Sequence, residues 1–197
     1  LIELDESAHG VYAQGNMLYF GSGVGFGVAD ITDPDNPRVL AMLPIGVANQ
    51  ICVEDGIAYA ALYSGKLVAI DVHDPAAPVV LGEYRASGMG LGVGCAGDIV
   101  YYGTSAGRVL EVVDVSDPAV PVGVMTVANT LGARSMYIFG DLMLLGCHGS
   151  GARILDVSDP RSPKVLDAFS RSGEAWGVAG DSSVIWVGDL QEGVKLY

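Results

Sequence analysis

The chain has 197 residues, 50% apolar and only 17% charged, a size at which roughly 70% of the unfolded surface can be buried without help from a disulfide or a metal. Ten basic against 23 acidic side chains leave a formal charge of −13, a field that repels phosphate backbones and anionic lipid and so argues against nucleic-acid binding. No apolar run is long enough to span a bilayer, so no membrane insertion is expected.

The sequence carries neither an initiator Met nor a charged-then-apolar signal segment, which reads as a mature product or an excerpt. Cys52, Cys95 and Cys147 are odd in number and lie in strand-like runs. The expectation is therefore three small buried hydrophobes, with no disulfide framework and no metal pairing.

Along the chain, Ile2 to Leu4 reads as a short strand standing alone. One grammar then repeats. A first strand ends in a tight turn, at Gln14-Gly15-Asn16, Glu54-Asp55-Gly56, Gly97-Asp98, Gly140-Asp141 and Gly180-Asp181. A second apolar run follows each turn, as in Ile57 to Ala61 or Leu142 to Leu145, and a third, as in Leu67 to Ile70 or Val109 to Val113, ends at an Asp. That Asp opens the pattern Asp-x-x-Asp-Pro-x-x-Pro at Asp30, Asp71, Asp114 and Asp156, at intervals of 41, 43 and 42 residues. Eight of the nine prolines belong to this pattern. A fourth run starts after the second Pro of each copy, as in Val79-Val80-Leu81.

Four short strands in a period near 42 residues are the size of a propeller blade. No segment has ten residues of helical periodicity, and the 28 glycines suit tight turns. The fold expected is all-β: a five-bladed β-propeller of four-stranded blades, forming a single domain over residues 1–197. The blades fall at about 10–46, 49–86, 90–128, 133–171, and 175–197 joined by 1–6. The N-terminal strand Ile2 to Leu4 would complete the C-terminal blade and close the ring. The alternative is a slice of a longer array.

The Asp-Pro motif explains itself mechanically. The residue before Pro is held out of the α region, Asp bonds the backbone just ahead, and the second Pro is tolerated only where its missing N–H faces an open sheet edge. Strands that are apolar on both faces fit blades sandwiched between neighbours. Calcium binding by the motif carboxylates is the weaker reading, because turn-capping accounts for every copy.

The runs Leu67-Val68-Ala69-Ile70-Asp71, Leu110-Glu111-Val112-Val113-Asp114 and Arg153-Ile154-Leu155-Asp156-Val157, each leading into Asp-Pro-x-x-Pro, resemble the third-strand motif of the LVIVD-repeat propellers. Phe26-Gly27-Val28-Ala29-Asp30 departs from it, and the last copy stops short. The resemblance implies a bacterial or archaeal extracellular or cell-surface protein and brings no fixed catalytic residues.

Loops entering the first strands and loops between second and third strands should gather at one mouth of the central channel. Alignment on the turn after the first strand puts His9, Asn49, Leu91, Arg134 and Glu174 in one column. Gly10, Gln50, Gly92, Ser135 and Ala175 form the next, and Trp176 falls in the one after. Tyr63, His148 and Asp189 stand at matching places in the second-to-third loops. Positions that serve only the frame should look alike, and these do not.

The candidate ligand site is therefore His9, Asn49, Gln50, Tyr63, Arg134, Ser135, His148, Glu174, Trp176 and Asp189. The competing reading is a solvated rim on which Arg134 pairs with Glu174. His9, His148, Glu174 and Asp189 carry metal-ligating atoms but no recognised spacing, so no metal and no cofactor is expected.

Gly103-Thr104-Ser105-Ala106-Gly107 matches a nucleophile-elbow pattern but sits in a strand–strand turn with no helix behind it. Gly21-Ser22-Gly23-Val24-Gly25 and Gly88-Met89-Gly90-Leu91-Gly92 lack the helix N-terminus that a phosphate loop needs. The function expected is a non-enzymatic binding scaffold for a protein or glycan partner, with the oligomeric state open. The alternative is a hydrolase or lyase that pairs Glu174 with His9 or Asp189 as acid and base.

Overall fold

The computed structural model describes residues 7–106, 109–130, 132–148, 150–169, 175–180, 184–189 and 193–196. It is all-β, a propeller of five blades of antiparallel strands. The first blade is β1 (Ala8–Gln14), β2 (Met17–Ser22), β3 (Phe26–Asp30) and β4 (Arg38–Leu43); the second is β5 (Ala48–Glu54), β6 (Ile57–Leu62), β7 (Lys66–Asp71) and β8 (Val79–Arg85). The third is β9 (Gly90–Ala96), β10 (Ile99–Thr104), β11 (Leu110–Asp114) and β12 (Val122–Val127). The fourth is β13 (Ser135–Phe139), β14 (Leu142–Gly146), β15 (Ala152–Asp156) and β16 (Lys164–Phe169). In the fifth blade the described strands are β17 (Ala175–Gly180), β18 (Ile185–Asp189) and β19 (Gly193–Leu196).

Each blade is a meander, and β1, β5, β9, β13 and β17 lie side by side in chain order around the axis. The closing strand expected over Ile2 to Leu4 lies outside the described residues.

Alternation makes both faces of a blade apolar. In the second blade Ile51, Val53, Ala58, Ala60, Val68 and Ile70 pack toward the first blade. Their in-between neighbours Cys52, Tyr59, Ala61, Leu67 and Ala69 pack toward the third. A strand buried on both faces has no polar side, which is why the runs read as unbroken hydrophobics.

Small residues let successive blades approach. A side chain on Gly21 would collide with the carbonyl oxygen of Ala48, and one on Gly103 with that of Ala133, each in the next blade. Only glycine allows that backbone approach.

The motif does at each blade what its chemistry predicts. Asp30 Oδ1 accepts the N–H of Thr32 at 2.8 Å, and Asp71, Asp114 and Asp156 accept those of His73, Ser116 and Ser158 at 2.9 Å. The second carboxylate of each copy caps the next turn: Asp33, Asp74, Asp117 and Asp159 accept N–H groups of Asp35, Ala76, Ala119 and Arg161. Every motif carboxylate is thus engaged in holding a turn.

The outer strands then share one irregularity. The β3–β4, β7–β8, β11–β12 and β15–β16 ladders each shift register once, leaving Leu40, Leu81, Val124 and Leu166 as the extra residues. A bulge on each of these four outer strands twists an exposed edge away from foreign pairing.

Candidate functional site at the channel mouth

Bulges also recur where the inner strands begin, and there they carry the variable side chains. Register shifts between Ala48 and Gln50 and between Ala175 and Gly177 leave Asn49 and Trp176 as the extra residues, and on the β9–β10 ladder Leu91 is skipped in the same way. On β1 the shift spans His9 and Gly10. A bulge turns a side chain out of the regular pleat.

The pairing corrects the sequence alignment of the last blade. Gly177 faces Gly188 as Ser135 faces Gly146 and Gly92 faces Gly103. Trp176 therefore occupies the column of Asn49, Leu91 and Arg134, the place the sequence alignment gave to Glu174. The β17–β18 ladder closes at Gly180 and Ile185 with four residues between, against two between Phe139 and Leu142. Matching the turn glycines slid the fifth repeat out of phase.

Among the described candidates Arg134, Trp176 and His148 come together. The Arg134 guanidinium carbon lies 4.6 Å from the centre of the Trp176 ring. The His148 ring is 5.4 Å from the same ring at 51°. The backbone fixes this cluster from both sides: Arg134 donates its N–H to Gly146 O at 2.8 Å, and His148 exchanges backbone hydrogen bonds with Ala175 at 3.1 and 3.2 Å. His148 holds φ at 45°, a left-handed conformation that a non-glycine residue adopts only when its surroundings enforce it. Trp176 stays 43% exposed, so the ring is held from below and offered to solvent. Arg134 over an indole face is a cation–π pair.

Residues 45–86 and 94–129 match the profile of the LVIVD repeat. The chain thus carries LVIVD repeats in the second and third blades of its propeller. No curated protein matches its sequence. Among solved structures it is similar to the computationally designed Ika8 protein, with 11% identity and a TM-score of 0.74 over 97% of this chain and 58% of that one. It is also similar to a chain of the Mitotic Checkpoint Complex, with 14% identity and a TM-score of 0.77 over 99% of this chain and 64% of that one. Identities this low bear on the fold alone, and the LVIVD propeller spans less than two thirds of either chain.

The other described candidates make contacts of their own. Asn49 donates its side-chain amide to Gly90 O in the next blade, which makes it a clamp between blades. His9 is exposed and meets Ser7 Oγ at 3.3 Å. Tyr63 is exposed at the second-blade rim. Ser135 Oγ is buried without a hydrogen-bond partner among the described residues, close behind Gly146. Asp189 pairs with Ala175 at the end of the β17–β18 ladder, beside the cluster. Gln50 lies deeper, in the channel wall. Glu174 lies outside the described residues. Among the described residues no group of three His, Cys, Asp or Glu side chains is placed to hold a metal. Ser105 Oγ accepts the N–H of Met89 at 3.1 Å, so the nucleophile-like pentapeptide serves to tie two loops.

One expectation fails. Cys52 and Cys95 form a disulfide with Cα atoms 5.9 Å apart, joining the inner strands of the second and third blades. Only Cys147 is a free buried thiol, pushed up to about 11 by burial and so held protonated. The signal was in the spacing: the two cysteines are 43 residues apart, one repeat, and therefore on neighbouring first strands. Counting cysteines missed what counting positions within the repeat would have found.

The sequence also gave no role to Glu111, which is 3% exposed. It accepts hydrogen bonds from Tyr84 Oη at 2.8 Å and from the N–H and hydroxyl of Ser87. Burial, with Glu111 alongside, pushes the Tyr84 phenol up to about 12. Among the described residues no helix is long and apolar enough to cross a membrane.

Proposed function

We propose that this LVIVD propeller is a non-enzymatic binding scaffold that engages a protein or glycan partner through the channel mouth, at the seam between its fourth and fifth blades. The observation that carries the reading is Trp176, exposed at 43% while a cation at 4.6 Å and an imidazole at 5.4 Å hold it in place. A rigid indole pays little conformational entropy on contact and suits either the flat face of a sugar ring or an apolar side chain of a partner. Arg134 beside it adds donors for hydroxyl or carboxylate groups. The Cys52–Cys95 disulfide supports an oxidising setting, and with it the extracellular or cell-surface location that the family resemblance implies.

A glycan microarray and a panel of purified cell-surface proteins, probed with the wild-type chain, will identify the partner class. Trp176→Ala and Arg134→Ala are then expected to weaken that binding by on the order of 10- to 100-fold, with an unchanged thermal midpoint. Full affinity in both variants would remove the mouth as the contact.

A further inference from the structure

The channel holds a second space, away from the mouth. The later halves of four inner strands, residues 11–14, 50–54, 93–95 and 136–138, enclose a cavity of about 530 Å³. That volume lies within the range of small-molecule pockets. Most of its wall is aliphatic side chain, backbone and the Cys52–Cys95 disulfide. The side chains with chemistry to offer are Tyr12, Tyr137, Gln14, Gln50 and Glu54, and among the described residues no Lys, Arg or His lines it.

Glu54 is a fixed charge. One of its oxygens accepts the N–H of Gly97 at 2.9 Å, which ties the carboxylate to the turn of the next blade. Tyr12 stands near enough to feel it: burial first, and then the Glu54 charge, push its phenol up. Beyond Glu54 the field stays negative, since Glu54, Asp98 and Asp55 together act on Tyr59 after its burial. Among the described residues the cavity thus has electron-rich rings, one positioned carboxylate and no cation lining it. In a partly enclosed space such charges act through a lower dielectric than water.

We propose that this cavity binds a small organic cation of the alkylammonium class, with Glu54 neutralising the charge and the rings of Tyr12 and Tyr137 facing its alkyl groups. Ring faces attract such cations, and desolvation in a pocket strengthens the attraction. An anion would meet Glu54 and no basic side chain, and the overall charge of −13 adds to its exclusion. A neutral polyol could use the two amides but would leave the carboxylate's charge unanswered.

Calorimetric titration of the oxidised chain at low ionic strength, with choline as the probe and glucose and acetate as controls, tests the site. Choline is expected to bind one-to-one and saturably while the controls give no heat. Glu54→Gln, which keeps an acceptor for Gly97, and Tyr137→Leu should each weaken choline about tenfold. Val11→Trp, which fills the cavity from a largely exposed wall position, should abolish binding with the fold intact, a check that holds even if Tyr137→Leu is unstable. Trp176→Ala should leave choline affinity unchanged, which separates this site from the mouth. Absence of choline binding, glucose binding in its place, or an affinity indifferent to Glu54→Gln and Val11→Trp would each overturn the proposal.

Discussion

The seam between the second and third blades and the seam between the fourth and fifth are built from the same repeat and hold together differently. At the first, Tyr59, Leu67, Val93, Val100 and Tyr102 fill the space between sheets. A disulfide crosses it near the axis, and farther out the buried Glu111 draws Tyr84 and Ser87 of the preceding repeat onto the third blade. At the second seam Ala152, Ala175 and Val187 are buried with Val178 and Ile185 packed beside them, and the buried Leu144 comes up against Gly180. A backbone bridge from His148 to Ala175 and a cluster of Arg134, Trp176 and His148 at the mouth also join the blades there. Among the described residues the first seam carries the disulfide and the buried carboxylate, and the second carries the exposed ring chemistry. Regions with fewer fixed cross-links open locally more readily.

The largest expected difference comes from the disulfide. Replacing Cys52 and Cys95 together by Ala should cost about 2–5 kcal/mol, read by denaturant unfolding. A loss under 1 kcal/mol would mean that the apolar seam alone holds the sector. Glu111→Ala removes the acceptor of the half-buried Tyr84 hydroxyl and of the Ser87 N–H and should cost about 1–2 kcal/mol. Tyr84→Phe removes one bond of that network and should cost about 1 kcal/mol in the same assay. On the other seam, Trp176→Ala should change stability by no more than about 0.5 kcal/mol while weakening partner binding. A cost equal to that of Glu111→Ala would make the ring a packing element and erase the contrast.

The smallest effect is acid sensitivity of the motif turns, which the two sectors share. The side-chain hydrogen bond of Thr32, its N–H and then Arg38 hold Asp30 down at about 2. Arg161 from the next blade, followed by Ser116, does the same for Asp114. Both carboxylates are depressed relative to the unfolded chain, whose ordinary value is 3.8. Their contribution is therefore fully present above about pH 4 and is lost as pH falls through about 2. Stability measured across that window should decline, and Asp114→Asn should flatten part of the decline. An unchanged slope would show the Arg161 pair to be energetically idle, as many exposed pairs are.

Much of this fold could be read from the chain because its signals are local and repeat. The Asp-Pro turns recur four times, and the turn glycines and apolar runs keep step with them. What escaped was relational. Glu111 sits inside Leu110-Glu111-Val112-Val113, where sequence offers a lone carboxylate among apolar residues and no sign of Tyr84 and Ser87 one blade earlier. The disulfide needed repeat position instead of cysteine parity. The site was half legible. Divergent columns pointed to the mouth, and Arg134, His148 and Trp176 do converge. Trp176, however, reached its place through a bulge that no propensity encodes, while Asn49 became an inter-blade clamp.

Amide hydrogen exchange on the native, oxidised chain tests the contrast between the two seams most directly. Peptides covering β5 to β7 and β9 to β11 should exchange only through global opening, whereas those covering β17 and β18 should exchange at least about tenfold faster through local opening. Equal protection in both sectors, or slower exchange in the fifth blade than in the second and third, would contradict it.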